Sequence, residues 1–126
     1  MTSTTAPQLH YQNTAKQARV LGANAHELIS ILLEELLNLL DEMAALRMRN
    51  DQGTIRDQQV MALTILDSLI ISLDLDRGGD LAKNLELIYR EVRKLIAAND
   101  NVDPAADNRA AHQIITEIFD SWRAIA

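Results

Sequence analysis

Cysteine is absent from this chain of 126 residues, and turn-forming and aromatic residues are scarce. The lack of cysteine excludes disulfides, thiolate metal sites and a cysteine nucleophile, and it fits a reducing compartment. Two prolines and four glycines are too few for the many turns of a β-sheet protein. Apolar residues make up 48% of the chain but aromatic residues only 3%, so the core must be built from Leu, Ile and Ala, which mostly favour helices.

Positive charge is also in short supply. The formal net charge is −6, which argues against nucleic acid as a partner, because neutralising phosphates needs a basic face. The polar N-terminus lacks the charged and apolar regions of a secretory signal. The longest apolar-rich stretch, residues 28–46, is interrupted by six polar or charged residues, so we expect an amphipathic helix and no membrane insertion.

The few glycines and prolines lie where helices are expected to end. Gly53, the pair Gly78-Gly79 and Pro104 separate long segments with helical periodicity. The sequence therefore predicts one all-α domain over residues 1–126, an antiparallel four-helix bundle with short connections. The predicted helices are 25–49, 55–76, 81–98 and 105–125. Residues 1–10 are predicted to be a flexible tail, and residues 11–22 a short helical or extended segment that packs on the bundle.

Candidate capping residues support these helix starts. Asn24 precedes the first helix with Glu27 three residues on, and Thr54 is a weaker candidate for the second helix. Asp80 is the candidate cap of the third helix. Asp103 is the candidate cap of the fourth, with Pro104 at the first helical position.

Helical spacing also predicts which side chains form the core. On the third helix, the predicted core residues are Leu81, Leu85, Ile88, Tyr89, Val92, Leu95 and Ile96. On the fourth helix, they are Ala111, Ile114, Ile115, Ile118, Trp122 and Ile125. The first helix contributes a broad apolar stripe from Leu28 to Met43, and the second contributes residues between Ala62 and Leu73.

The second helix has more apolar residues than a core stripe needs. At 100° per residue, several of its side chains fall opposite the core, and Leu87 on the third helix is likewise off its stripe. The outer strip, as we call this second set, consists of Val60, Thr64, Ser68, Ile71 and Leu75. Two interpretations remain open: a groove that binds a partner helix, or ordinary surface, since scattered exposed aliphatic residues are normal. A third interpretation is that the N-terminal segment of the chain covers the strip.

No pattern typical of an enzyme, cofactor or metal site occurs. His26-Glu27 has no second histidine four residues on, and no Glu-x-x-His motif of a di-iron bundle is present. Glu34-Glu35 is interpreted as solvated helix surface. Gly78-Gly79 lacks the spacing of a phosphate loop and is interpreted as a helix end and turn. We therefore predict no enzyme, no cofactor and no metal.

Residues 66–99 nevertheless carry an ordered series of motifs. The chain reads SLDLDRGGDLAKNLELIY over residues 72–89 and LIAAN over residues 95–99. With Tyr11-Gln-Asn near the start and Trp122 near the end, this series resembles the flagellar export chaperone FliS family. The resemblance covers most of residues 11–125. One difference is in the first long helix, where the family's Met-Leu-Tyr-Asp-Gly-Ala is replaced by Leu-Leu-Glu-Glu-Leu-Leu from residue 32.

The resemblance implies a cytoplasmic bundle that binds the disordered C-terminal region of flagellin, its client. Binding would prevent premature polymerisation of flagellin and support its delivery to the flagellar type III export apparatus. The export apparatus and regulators are further candidate partners. The resemblance also implies that the N-terminal segment, including Tyr11, lies over or beside the client site. The predicted partner-binding residues are therefore Tyr11, Val60, Thr64, Ser68, Ile71, Leu75 and Leu87. The alternative is a self-associating helical adaptor in which Val60, Ile71 and Leu75 form a dimer contact.

Overall fold

The computed structural model of the protein describes residues 22, 24–97 and 102–125. Within these ranges the chain forms four helices: α1 (Ala25–Met48), α2 (Gln52–Ile71), α3 (Leu75–Ala97) and α4 (Pro104–Ala124). The predicted all-α four-helix bundle is confirmed. The predicted bounds of α1 and α4 agree with the structure to within one residue. The predicted tail 1–10, and Tyr11 with nearly all of segment 11–22, lie outside the described residues.

Side-chain caps account for the helix starts. Asn24 accepts a hydrogen bond from the Glu27 backbone N–H at 2.8 Å, as predicted. Asp103 caps α4 in the same way through Ala106, with Pro104 in the first turn, again as predicted. The prediction for α2 was wrong, because Asp51 rather than Thr54 is the cap. Its carboxylate accepts from both the backbone N–H and the hydroxyl of Thr54, so α2 begins at Gln52.

The connection between α2 and α3 differs most from the prediction. α2 ends at Ile71, and Asp74 starts α3 by accepting from the Arg77 N–H at 3.1 Å. The double glycine therefore lies inside the first turns of α3, where Gly79 breaks the helix with a φ of +56° and a ψ of −136°. A Cβ on Gly78 would come within 2.6 Å of the Ala82 Cβ, so this bend also needs a glycine there.

Polar contacts show that neighbouring helices run antiparallel. Near the start of α2 the Gln59 amide donates to the carbonyl of Ile96, near the end of α3 (2.6 Å). Between α1 and α4, the buried Asn108 amide donates to the Leu40 carbonyl (3.0 Å), and His112 contacts the Asp41 carboxylate (3.0 Å). Because Asn108 is buried, loss of this bond would leave a polar group unpaired inside the protein.

The core is aliphatic, as predicted, and all four helices contribute to it. Its fully buried large side chains are Leu33, Leu36, Leu40, Met43, Leu66, Leu69, Val92 and Ile115. Burial of each such side chain stabilises the fold by about 1.5–3 kcal/mol. The prediction was wrong for Leu28, Leu81, Ile88 and Ile125, which are exposed. The last three line a surface groove between α3 and α4, which their helical spacing did not distinguish from the core.

Candidate functional site

The pair of helices that closes the bundle, α3 and α4, has the least extensive contact among the four neighbouring pairs. Towards the end of the bundle where α3 begins and α4 ends, a groove of about 350 Å³ lies between the two helices. The α3/α4 groove, as we call it, is lined by Leu81, Leu85, Ile88, Ile114, Glu117, Ile118, Ser121, Trp122 and Ile125. Seven of these nine residues are apolar, so the groove can bury an apolar partner but offers no set of groups for catalysis.

The groove walls are exposed to different degrees. Leu81 is 70% exposed, whereas Ile88, two helical turns further along the same wall, is 38% exposed. Tyr89, the next residue on the same helix, is only 3% exposed, and its burial raises the pKa of the phenol to about 12. The same helix therefore contributes both to the open groove and to the closed core.

Trp122 connects the groove to the start of α1. Its indole stacks on the His26 imidazole, with ring centroids 4.6 Å apart and planes inclined by 9°. The indole N–H donates to the His26 carbonyl (2.9 Å), and the His26 Nε2 lies 3.0 Å from the Trp122 carbonyl. Since a carbonyl can only accept, Nε2 must be the donor. These two reciprocal hydrogen bonds, each from a ring N–H to the other residue's backbone carbonyl, fix the position of Trp122, which also lines the groove.

The outer strip predicted from the sequence is also on the surface. Val60, Thr64, Ser68 and Ile71 are all exposed on α2, and Ile71 is 82% exposed. The Thr64 hydroxyl donates to the Val60 carbonyl (2.9 Å), and the Ser68 hydroxyl donates to the Thr64 carbonyl (3.1 Å). Because both hydroxyls already have partners within the helix, a partner protein can cover the strip without breaking their hydrogen bonds.

The remaining predicted residues lie elsewhere. Leu75 does not belong to α2, as the sequence suggested, but to the first turn of α3, because Ser72 ends one helix and Asp74 starts the next. It is partly exposed and follows the strip along the chain. Leu87 is exposed on the side of α3 opposite the buried Tyr89. The structure thus brings the α2 residues together and places Leu87 on a separate face.

An ion pair holds α2 against α3 beside the strip. The Arg93 guanidinium donates to the Asp67 carboxylate at 2.9 Å, and this hydrogen bond lowers the pKa of Asp67 and raises that of Arg93. Both side chains are about half exposed, so solvent screens the pair and its contribution to stability is small.

The described residues contain no metal-binding geometry. No three His, Asp or Glu side chains among residues 22, 24–97 and 102–125 are grouped so as to hold a metal ion. None of the helices in the described part of the chain is both long and apolar enough to cross a membrane. The candidate functional features of the described chain are its exposed apolar surfaces, the α3/α4 groove and the outer strip.

The sequence analysis missed the groove, although a signal was present. On α3, apolar residues form two adjacent columns with a spacing of seven: Leu81, Ile88 and Leu95 beside Ala82, Tyr89 and Ile96. The second column is buried, while Leu81 and Ile88 of the first are exposed in the groove. Two columns are wider than the stripe that one packed face requires, so the width of the apolar face was the available clue.

Comparison with known proteins gives a consistent result. The family model described as flagellar protein FliS matches residues 7–126. The flagellar secretion chaperone FliSB of Pseudomonas aeruginosa is 28% identical over 120 residues, which cover 92% of each chain. The flagellar secretion chaperone FliS of Vibrio cholerae is 27% identical over 116 residues, covering 91% of this chain and 85% of the relative. That of Salmonella typhimurium is 25% identical over 118 residues, covering 92% of this chain and 87% of the relative.

Proposed function

This chain belongs to the flagellar protein FliS family, and from that membership and the apolar surfaces we propose that it is a flagellar export chaperone whose client is the C-terminal region of flagellin. It holds this region in the cytoplasm, prevents premature polymerisation and supports delivery to the flagellar type III export apparatus. Export components and regulators are its further proposed partners.

The observation that carries the proposal is the α3/α4 groove. Its α4 wall runs from Ile114 to Ile125, about 16 Å at the helical rise, so the groove accommodates about three turns of a client helix. An amphipathic helix that lays its apolar face into such a groove uses a common mode of peptide recognition. The groove is therefore the proposed anchor of the client.

A second contact follows from the length of a disordered client. A segment that orders on binding incurs an entropic cost, which a large wrapped surface offsets. We propose that the client extends from the groove to the outer strip, where Val60, Ile71 and Leu75 supply apolar contact and Thr64 and Ser68 are already hydrogen-bonded. Leu87, on its separate exposed face, is a further proposed contact.

Tyr11 keeps the role that the family resemblance implies. The N-terminal segment that contains it is proposed to lie over or beside the client site and to be exchanged for the client helix. A variant lacking residues 1–21 tests this exchange. It should bind the client more tightly if the segment competes, and more weakly if Tyr11 contributes to the bound state.

Calorimetry with flagellin from the same organism tests the proposal. We expect a complex of one chain with one flagellin at micromolar concentrations. Deletion of the flagellin C-terminal segment should abolish binding, whereas the isolated segment should bind by itself. Unchanged binding after the deletion would show that another part of flagellin is the client, and no binding of intact flagellin would contradict the proposed function.

A further inference from the structure

Among the described residues that line the α3/α4 groove, Glu117 is the only charged one. It lies on the α4 wall one helical turn from both Ile114 and Ser121, and its side chain is exposed. The other lining residues are apolar except Ser121. A negative charge at the edge of an apolar groove adds electrostatic selectivity to a surface that otherwise recognises only shape and hydrophobicity.

Among the described residues, none of the ion pairs brings a cation to this carboxylate. The described ion pairs that involve α2, α3 or α4 join Asp67 with Arg93, Glu86 with Arg90, Asp74 with Arg77 and Asp41 with His112, and none of them includes Glu117. On α3, Glu91 follows the groove residue Ile88 by one helical turn and is exposed, but it does not line the groove. Glu117 is therefore the charge that a partner in the groove meets, within a chain whose formal net charge is −6.

We infer that the α3/α4 groove selects an amphipathic helix with a basic residue beside its apolar face, placed to pair with Glu117. This inference rests on the proposed function and specifies the chemistry of the client helix. The apolar face is expected to repeat over three turns, matching the length of the α4 wall. Glu117 is the residue that determines specificity for the basic side chain, while the apolar walls supply most of the affinity.

Two designed helical peptides of equal composition test the inference. Both carry leucines at positions 1, 4, 8 and 11 of the helix. One has its lysines directly beside this leucine face, and the other has them on the far side of the helix. Binding to the full chain is measured by calorimetry and by the emission of Trp122, which is the only tryptophan and lines the groove.

The peptide with flanking lysines should bind about fivefold more tightly, as for one partly exposed ion pair. Glu117→Lys should abolish this preference. The matched control is Glu42→Lys on α1, which makes the same change in net charge at an exposed residue outside the groove and should retain the preference. Added salt should weaken the preference in the native chain.

Equal affinities for the two peptides in the native chain would overturn the inference. So would a preference that survives Glu117→Lys, or a failure of both peptides to bind. These outcomes are distinct from failure of the proposed function. If flagellin binds but the peptides show no preference, the function stands without the charge selectivity. If the peptides show the preference but flagellin does not bind, the groove has a different client.

Discussion

The α3/α4 groove and the outer strip are both exposed and apolar, yet they differ in shape. The strip lies on the convex outer face of α2, where each side chain projects into solvent from a single helix. The groove lies between two helices, so a partner side chain that enters it contacts both Leu81 on one wall and Ile118 on the other. The groove also has seven apolar residues against three in the strip, and a concave surface removes more area from water per residue, so we expect the groove to dominate binding.

The difference also separates two kinds of information in the sequence. Helical periodicity identifies residues that point away from the core, and the exposure of Val60 and Ile71 agrees with that reasoning. It indicates groove walls only through the width of an apolar face, because these residues lie beside the core residues of their helices and have the same spacing. The functional value of both surfaces remains a proposal, and the following variants compare them.

The largest expected effect is on the groove. Leu81→Asp combined with Ile125→Asp places two charges on exposed walls that a client helix would cover. Binding of the flagellin C-terminal segment should fall about 100-fold or more, because the charges must be desolvated without partners. Calorimetry measures the affinity, and far-UV circular dichroism should show unchanged helicity, since both native side chains are mostly exposed.

Met48→Asp is the matched control for this variant. Met48 is an exposed apolar residue at the end of α1 and belongs to neither surface. Its substitution should leave the affinity unchanged. If the groove variant binds like the native chain, the client does not occupy the groove.

The second effect concerns the closed core beside the open groove. The pKa of Tyr89 is raised to about 12 by burial, whereas an unfolded tyrosine titrates near 10. Stability from this group is fully present below pH 10 and is lost as the pH rises towards 12, because only the unfolded state ionises in this range. The free energy of unfolding should fall by about 1.4 kcal/mol per pH unit.

Urea unfolding at pH 9, 10 and 11 measures this loss, and Tyr89→Phe is the control. The variant removes the phenol while Tyr11 is retained, so the difference between the two proteins isolates Tyr89. Equal pH dependence in both would mean that water reaches Tyr89 from the groove.

Much of the fold follows from local signals. Asn24 and Asp103 are capping residues with the expected spacing, and the structure confirms both. Asp51 and Asp74 were missed because an acidic residue near a helix start has several candidate positions, and only the chain path decides which carboxylate meets a free N–H. For the same reason, the sequence analysis placed Leu75 at the end of α2 and not at the start of α3.

The candidate site was less predictable than the fold. Leu81 and Ile88 have the spacing of core residues, and nothing in the sequence states how closely α4 packs against α3. The contact between α3 and α4 is the least extensive of the four neighbouring pairs, and it depends on packing across the whole bundle. Sequence therefore predicts the apolar faces, and tertiary packing decides which part of a face stays open.

A smaller effect is expected at the outer strip. Val60→Asp combined with Ile71→Asp should weaken binding of the flagellin segment about tenfold, because a convex surface buries less of each client side chain. Helicity should be unchanged. A loss of affinity as large as that of the groove variant would make the strip an equal anchor.

Light scattering on the free native chain tests the alternative function. A dimer that dissociates when Val60→Asp and Ile71→Asp are introduced would favour the self-associating adaptor.

The smallest effect on client affinity is expected from removing a hydrogen bond between Trp122 in the groove and His26 at the start of α1. Trp122→Phe retains an aromatic ring in the groove but removes the N–H that donates to the His26 carbonyl. The free energy of unfolding should fall by about 1 kcal/mol, as is typical for one hydrogen bond, while the affinity for the flagellin segment should change less than about twofold.

His26→Phe is the matched variant, because it preserves a stacked ring but removes the Nε2 donor to the Trp122 carbonyl. If the two losses of stability add in the double variant, each hydrogen bond contributes independently, and a smaller combined loss shows that they act as one clasp. A tenfold loss of affinity in Trp122→Phe at unchanged stability would instead show that the indole N–H contacts the client, and Trp122 would then belong to the recognition surface itself.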